Sequence, residues 1–518
     1  MNVRRAAAPV VAEWSRRALI GSVGVLIAAN LQAPQAIAST GDEVSVYLTT
    51  RDLSSTLARQ PDLAFGRAAA PVGERIEVDP GAKGQTLTAG FGVAMTESSA
   101  FLLQDKLPTA TRNEVMRSLF SPDEGIGLSF LRIPIGATDY VVGEPATLDD
   151  QPPGGSDPSL SGFSIDRDRK YLIPAIQQAL EMNPDMKVMA NPWTPPAWMK
   201  SDDALVTKTG PLGHLKPEYY GAYANYLVKY LQAYRDQGIG VDYLGIQNEP
   251  LTPLAFVIGI PESFMDPIQQ GILIRDHLAP ALAEAGLSPG VLAYDDGFQR
   301  SEVYIPSVMG VAGEQVAGFA YHCYLTDPSS IEVQTRAYPG KEQLVTECSS
   351  KLSNVDPQQM MIRSLRAGAG GVQLWNAVLD QDGGPKMGNG CRGIVAPYAG
   401  QDCIAPVAVD TDKGTYSLTS DYWALAHFSQ FIRPGSRRLA SSTPSACLTT
   451  PVSGHRCGLE DVAFENPDGS RVLVVTANDG ADHTFTVTES GRQVTYSLPD
   501  GATATLVWNG TGEQRVQE

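Results

Sequence analysis

The chain has 518 residues, enough for two or three domains of ordinary size, and is 43% hydrophobic and 19% charged, a balance that excludes wholesale disorder. A net charge of −18 repels nucleic acid and anionic lipid at long range, so neither is an expected partner. The six histidines are scattered and no C-x-x-C or H-E-x-x-H pattern occurs, so no metal and no other cofactor is expected.

Residues 1–38 read as an export signal. Arg4, Arg5, Arg16 and Arg17 precede an apolar stretch from residue 18 to 29, and Ala36-Ile37-Ala38 offers a small-x-small cleavage site. The string Ser15-Arg16-Arg17 resembles a twin-arginine signal. The apolar stretch is short for a bilayer span, and nothing after Ala38 offers a second one. A secreted protein without a transmembrane anchor is therefore expected. Residues 39–88 are expected to add a strand to an accessory β domain.

From 89 to 434 short apolar runs alternate with longer amphipathic stretches. Eight runs read as strands: 89–95, 128–134, 187–191, 243–247, 290–294, 316–322, 343–347 and 370–375. Most are continuously apolar, as strands buried on both faces are. Between them, 219–237 carries Tyr223, Tyr226, Leu227, Tyr230 and Leu231 at helical spacing, and 273–285 is a helix stopped by Gly286. Repeated βα units in this number predict an α/β fold, a (β/α)8 TIM barrel, with Pro/Gly-rich insertions at 149–162 and 380–410 on its catalytic face. From 435 to 518 short β-rich runs separated by turns such as Asn466-Pro467-Asp468-Gly469 predict an accessory all-β sandwich. Export makes disulfides plausible: Cys391 and Cys403 flank one short loop, Cys447 and Cys457 another. Cys323 and Cys348 lie in apolar segments that suit buried thiols, and the sequence leaves open whether they are free.

Polar residues gather where the apolar runs end. The second run ends in Arg132 through Asp139, the third in Asn191-Pro192-Trp193, and the fourth in Gln247-Asn248-Glu249-Pro250. The sixth ends in His322-Cys323-Tyr324, the seventh in Thr346-Glu347-Cys348, and the eighth in Trp375-Asn376. In a barrel these ends converge on one pocket. Glu249 and Glu347 would then face each other there, each closing an apolar run where a charge is costly. Two carboxyl groups at a fixed separation are what glycoside hydrolysis needs: one protonates the leaving oxygen, the other attacks or stabilises the oxocarbenium-like carbon. Tryptophans offer flat walls to sugar rings, and Asn or Arg donors bind hydroxyls and steady carboxylates.

At these residues the chain resembles glycoside hydrolase family 30, the family of glucosylceramidase and endo-β-1,6-glucanase. The resemblance runs in order through GFGVAMTE (90–97), LRIPIG (131–136), PWTPPAW (192–198), QNEP (247–250), HCY (322–324), TEC (346–348), WNAVLDQDGGP (375–385) and AHFSQFIRP (426–434). VYLTT (46–50) and VWN (507–509) extend it over nearly the whole chain beyond the signal. It implies a retaining β-glycosidase with Glu249 as acid/base and Glu347 as nucleophile. It further implies Asn248 as donor to the sugar 2-hydroxyl and Arg132 as the cation beside the nucleophile. Trp193 and Trp375 would be subsite walls, with His322, Tyr324 and Asn376 lining the pocket. Family members often carry Asp where this chain has Glu97, which is assigned here to the distal sugar hydroxyls. Two other function classes are weighed. A carbohydrate-binding protein without chemistry would lack one carboxylate, and a metal-dependent hydrolase would need a histidine partner for His322. The expected substrate is a β-glucoside, carbohydrate or glycolipid, of glucosylceramidase type, with endo-β-1,6-glucanase as the alternative. Leu254, Phe256, Val257, Ile258, Ile260 and Phe264 offer either an apolar surface for a lipid or packing under a loop.

Overall fold

The computed structural model describes residues 42–207, 213–251, 259–324, 327–350, 356–388, 391, 402–442, 447–448 and 456–510. The export signal lies outside the described residues, as do Leu254, Phe256, Val257 and Ile258. Among the described residues no helix is long and apolar enough to cross a membrane.

Eight parallel strands close into a barrel: Gly90–Ala94, Phe130–Ile135, Lys187–Pro192, Tyr243–Gly245, Gly290–Gly297, Gly318–His322, Glu342–Glu347 and Gly371–Leu374. Each falls on one of the eight apolar runs. Side chains two residues apart on a strand share a face, and this periodicity builds the interior in layers. Phe130, Met189, Ala320 and Leu344 form a buried apolar floor with Ala89 and Leu292. Two positions further along three of these strands stand Arg132, Asn191 and His322, so the polar layer sits directly above the floor.

Two irregularities break that parity. The register shifts between Tyr294 and Asp296 where the fifth and sixth strands pair, and at His322 where the sixth pairs with the seventh. Such bulges re-aim side chains. They let the consecutive residues Thr346 and Glu347 both reach the mouth, the first bonding Asp295 and the second Arg132.

The helix Tyr220–Arg235 buries Tyr223, Tyr226, Leu227, Tyr230, Leu231 and Tyr234, one stripe of a 3.6-residue period. The 273–285 helix begins earlier than its apolar pattern suggests. Asp266 caps the turn Pro267–Ile272 in a capping box with Gln269, and the chain runs on through Leu273–Leu278 and Ala279–Glu284.

The sandwich is built from both ends of the chain. Glu43–Thr49 pairs antiparallel with Thr503–Asn509, and Glu74–Thr86 lies between Arg437–Ser441 and His483–Glu489. Glu460–Glu465, Ser470–Thr476 and Arg492–Leu498 complete the framework. Its core holds Val44, Val46, Ile76, Val78, Leu473, Phe485, Leu506 and Trp508. The strand Glu74–Thr86 has no counterpart in the apolar runs. Only Ile76 and Val78 alternate inward before Asp79-Pro80-Gly81, a turn-like string, continues on the exposed side. Sandwich and barrel are joined by Arg363, which pairs with Glu460, and by His427, whose two ring nitrogens lie 2.8 Å from the hydroxyls of Thr49 and Thr505.

Cys323 and Cys348 are not free thiols; they form a disulfide, as do Cys391 and Cys403. The 25-residue separation of the first pair hides a simple neighbourhood: the sixth and seventh strands are adjacent, and each cysteine is the residue that follows its strand. Cys447 stands opposite Cys457 in a short antiparallel ladder; their side chains lie outside the described residues.

Candidate active site

The carboxyl-terminal ends of the barrel strands bring Arg132, Asn248, Glu249, Asp295, His322, Tyr324 and Glu347 into one cluster. Arg132, buried at the second strand, bonds Glu347 Oε2 with one guanidinium nitrogen. With the other it donates to Asn248 Oδ1 at 2.6 Å and to Asp295 Oδ2 at 3.1 Å. Tyr324 donates its hydroxyl to the second oxygen of Glu347 at 2.9 Å. Both oxygens of Glu347 are thus held, and the carboxylate cannot rotate freely.

His322 is fully buried, its Nδ1 2.9 Å from Glu249 Oε1 and its Nε2 3.2 Å from Asp295 Oδ1. Burial alone would lower its pKa, but the charges of Glu347 and Asp295 outweigh that and push it up to about 10. The carboxylates on both sides favour its charged form, in which each ring nitrogen is a donor. Neither nitrogen is left for a sugar, so His322 does not line the pocket as the resemblance implies; it steadies the carboxylates.

Glu347 shows the opposite balance. Burial raises its pKa more than His322 and Arg132 lower it, so the net direction is up. Arg132 therefore opposes, without cancelling, the cost of burying this charge.

Asp295 was missed by sequence reading. It accepts from Arg132, from Asn191 at 2.5 Å, from Thr346 at 2.6 Å and from His322. Burial works against its ionised form, yet Arg132 and His322 bring its pKa to about 2. The signal that could have found it is the one that found Glu249 and Glu347: a carboxylate at the end of an apolar run. Backbone strain marks the same place. Tyr294, Asp295, Glu249 and Asn376 all have positive φ, at 80°, 63°, 43° and 71°, a region unfavourable for side chains of this kind and concentrated at functional sites.

Trp193 and Trp375 follow the third and eighth strands and are both buried. Their rings stack on each other, centroids 5.4 Å apart and planes 20° from parallel. They form one wall rather than two facing ones. Asn376 accepts from Thr96 at 2.7 Å. Trp198 packs edge-on against Tyr219 and donates its indole N–H to Asp149.

Glu97 is not brought into the cluster. Arg167 donates to both its oxygens, at 3.0 and 2.9 Å, and the Val142 N–H reaches it as well. Its extra methylene, relative to the Asp common in the family, carries the carboxylate into an internal ion pair. Ile260 is buried against the two tryptophans, so it adds nothing to an exposed apolar surface.

Glu249, His322 and Glu347 each set one ligand atom within 4.8 Å of the others, a spacing a metal ion could bridge. Both ring nitrogens of His322 are already taken by carboxylates, Glu249 and Asp295, and both oxygens of Glu347 by Arg132 and Tyr324, so the donor set does not fit one. What remains is a pair of carboxyl groups at short range, one partly exposed and one locked between cationic and hydroxyl donors, at the mouth of a closed parallel barrel. That is the machinery of a barrel glycoside hydrolase. Residues 88–432 match the glycosyl hydrolase family 30 TIM-barrel domain and residues 435–506 the family's β-sandwich domain, and the chain belongs to glycosyl hydrolase family 30. An endo-1,6-β-D-glucanase of Neurospora crassa is 32% identical over 484 residues, covering 91% of this chain and 94% of that protein. The lysosomal acid glucosylceramidase of Mus musculus is 29% identical over 423 residues, covering 77% and 76%. A solved endo-β1,6-glucanase superposes with a TM-score of 0.75 at 28% identity, covering 91% of this chain and all of that one.

Proposed function

We propose that the protein is a retaining glycosidase acting on β-1,6-linked glucan. The observation that carries the mechanism is the separation of the carboxyl groups. An oxygen of Glu249 lies within 4.8 Å of one of Glu347, nearer to the roughly 5–5.5 Å of retaining enzymes than to the roughly 6.5–9.5 Å that admits water for inversion.

Glu249 protonates the glycosidic oxygen as Glu347 attacks the anomeric carbon from the opposite face, forming a covalent glycosyl-enzyme. Glu249 then takes a proton from water, which attacks the same carbon and releases Glu347. Two inversions restore the β configuration. Arg132 and Tyr324 hold the nucleophile on line, and His322 bonds Glu249 with one nitrogen and Asp295 with the other, which lies against Arg132 in turn.

The relatives named as endo-1,6-β-glucanases, 30–32% identical to this chain, support a glucan over a glycolipid, since those named as glucosylceramidases are 27–30% identical. Sequence reading ordered these two the other way. Of the two described apolar residues that would favour a lipid tail, Ile260 is buried and Phe264 is half-buried. A polymer outside the cell also suits an exported enzyme, which the Arg16-Arg17 segment supports.

The test compares purified protein on linear β-1,6-glucan and on glucosylceramide in detergent, with NMR of the first product. Shortening of the glucan with β-anomeric product is expected. Cleavage of glucosylceramide alone would replace the substrate, and an α-anomer as first product would overturn the mechanism.

A further inference from the structure

The fifth strand, Gly290–Gly297, carries two consecutive carboxylates near its end, Asp295 and Asp296, and both are buried, at 1% and 4% exposure. On a regular strand consecutive side chains face opposite sides. Here the backbone turns at Tyr294 and Asp295, both of positive φ, and the register against the sixth strand shifts between Tyr294 and Asp296. The bulge divides the pair between two tasks. Asp295 bonds Arg132, which holds Glu347. Asp296 turns instead to the chain that carries Glu249. Its Oδ2 accepts from the Leu251 N–H at 3.0 Å and its Oδ1 from the Gly297 N–H at 2.6 Å.

Glu249, Pro250 and Leu251 are thereby tied down on several sides. The Glu249 N–H donates to the Asp295 carbonyl at 2.8 Å, and the Met265 N–H to the Pro250 carbonyl at 3.0 Å. Arg300 bonds the Leu251 carbonyl while Asp296 takes the Leu251 N–H. Glu249 has a φ of 43°, which a residue with a side chain keeps only where its surroundings impose it. Its side chain is 21% exposed against 5% for Glu347, and among the described residues only His322 bonds its carboxyl. The aim of Glu249 is therefore set largely by the backbone behind it.

We propose that Asp296 is the positioning residue of the acid/base: its carboxyl holds the Glu249 turn to the fifth strand and, by its charge, opposes loss of the acid's proton. The inference rests on the reading of Glu249 as acid/base. Burial, then the charge of Glu249, push the pKa of Asp296 up to about 7, against the pull of the Gly297 N–H, His322 and the Leu251 N–H. A negative charge on either carboxyl makes the other harder to ionise, so the two titrate as a pair. The other titratable groups around them are Tyr294 on the same strand, Tyr304 on the helix Ser301–Ala312, Arg300 just before that helix, and Glu262, whose charge acts with that of Glu249 from the loop beyond Pro250.

The test compares wild type, Asp296→Asn, Arg300→Met and Glu249→Ala on 4-nitrophenyl and phenyl β-glucoside, whose leaving groups need little and much help from an acid. Asparagine keeps the shape of Asp296 but accepts from only one of the two N–H groups and carries no charge. In Asp296→Asn, kcat/KM should fall about 10²-fold on the phenyl glucoside and about tenfold on the nitrophenyl one, the bias of a displaced acid. The alkaline limb of its pH profile should move about one unit lower, because a neighbouring negative charge no longer helps to retain the proton. Arg300→Met changes an exposed residue on the same turn and should show the same bias at about threefold. It decides the question if the buried variant does not fold. Equal losses on both glucosides, or an unmoved limb in Asp296→Asn, overturn the proposal, since a merely structural carboxyl has no preference among leaving groups. Glu249→Ala sets the full bias. If that variant lowers both glucosides alike, the acid/base assignment itself fails and takes the inference with it.

Discussion

The barrel mouth and the sandwich each bury a network of charges, and the two are built to different ends. In the sandwich, Glu489 is fully closed in: Arg471 bonds one oxygen, Arg492 the other at 2.6 Å, and the Trp508 indole adds a third donor at 3.1 Å. Both oxygens of Glu489 are taken, and each arginine also reaches a second carboxylate nearer the solvent, Arg471 to Glu465 and Arg492 to Asp42. In the mouth, the three carboxylates Glu249, Asp295 and Glu347 meet the two cations Arg132 and His322, with Tyr324, Asn191 and Thr346 as further donors. The sandwich network opens toward solvent through Glu465 and Asp42, whereas the mouth packs three carboxylates and two cations into a nearly buried cluster, where each charge depends on its neighbours.

The contrast can be broken at its most loaded point. Arg132→Met leaves Asp295 and Glu347 buried without their shared cation. Stability should fall by about 3–5 kcal/mol in urea titration, and turnover should fall with it. A variant as stable as wild type would mean that His322 alone carries the cluster.

A smaller effect separates the two networks. Glu489→Gln should cost about 1–3 kcal/mol, since two arginines lose their charged acceptor, while kcat/KM should change by less than about twofold, because the site is built on other strands. A large loss of kcat/KM at unchanged stability would show that the sandwich shapes the mouth.

The smallest effect is a slope against pH at the junction between the two regions. His427 is buried among neutral groups, and burial lowers its pKa to about 3. The unfolded chain takes up a proton near pH 6.5 that the folded one refuses. Stability from this group is therefore full above about 6.5 and declines as pH falls toward 3, by at most about 1.4 kcal/mol per pH unit. Unfolding of His427→Gln followed across that range should be flatter by this amount. Equal slopes in both proteins would place the neutral imidazole elsewhere.

All eight barrel strands were legible as apolar runs, because a strand buried on both faces must be apolar along its length. Glu249 and Glu347 were legible for the same reason, as charges where burial penalises them. The missing strand Glu74–Thr86 shows the limit of that signal: with one face exposed and a Pro-Gly pair within it, its identity comes from the strands on either side. The amino-acid sequence by itself determined the periodicity, the order of elements and which residue types stand at the strand ends. Tertiary structure alone decided what those residues do. The pairing of Cys323 with Cys348, the anchoring role of Asp295, the turning of His322 from pocket lining to cation, and the capture of Glu97 by Arg167 all depend on groups far apart in the chain. Hydrogen bonds and charges act over a few ångströms of space, so their partners are chosen by barrel closure and by two bulges, neither of which local sequence records.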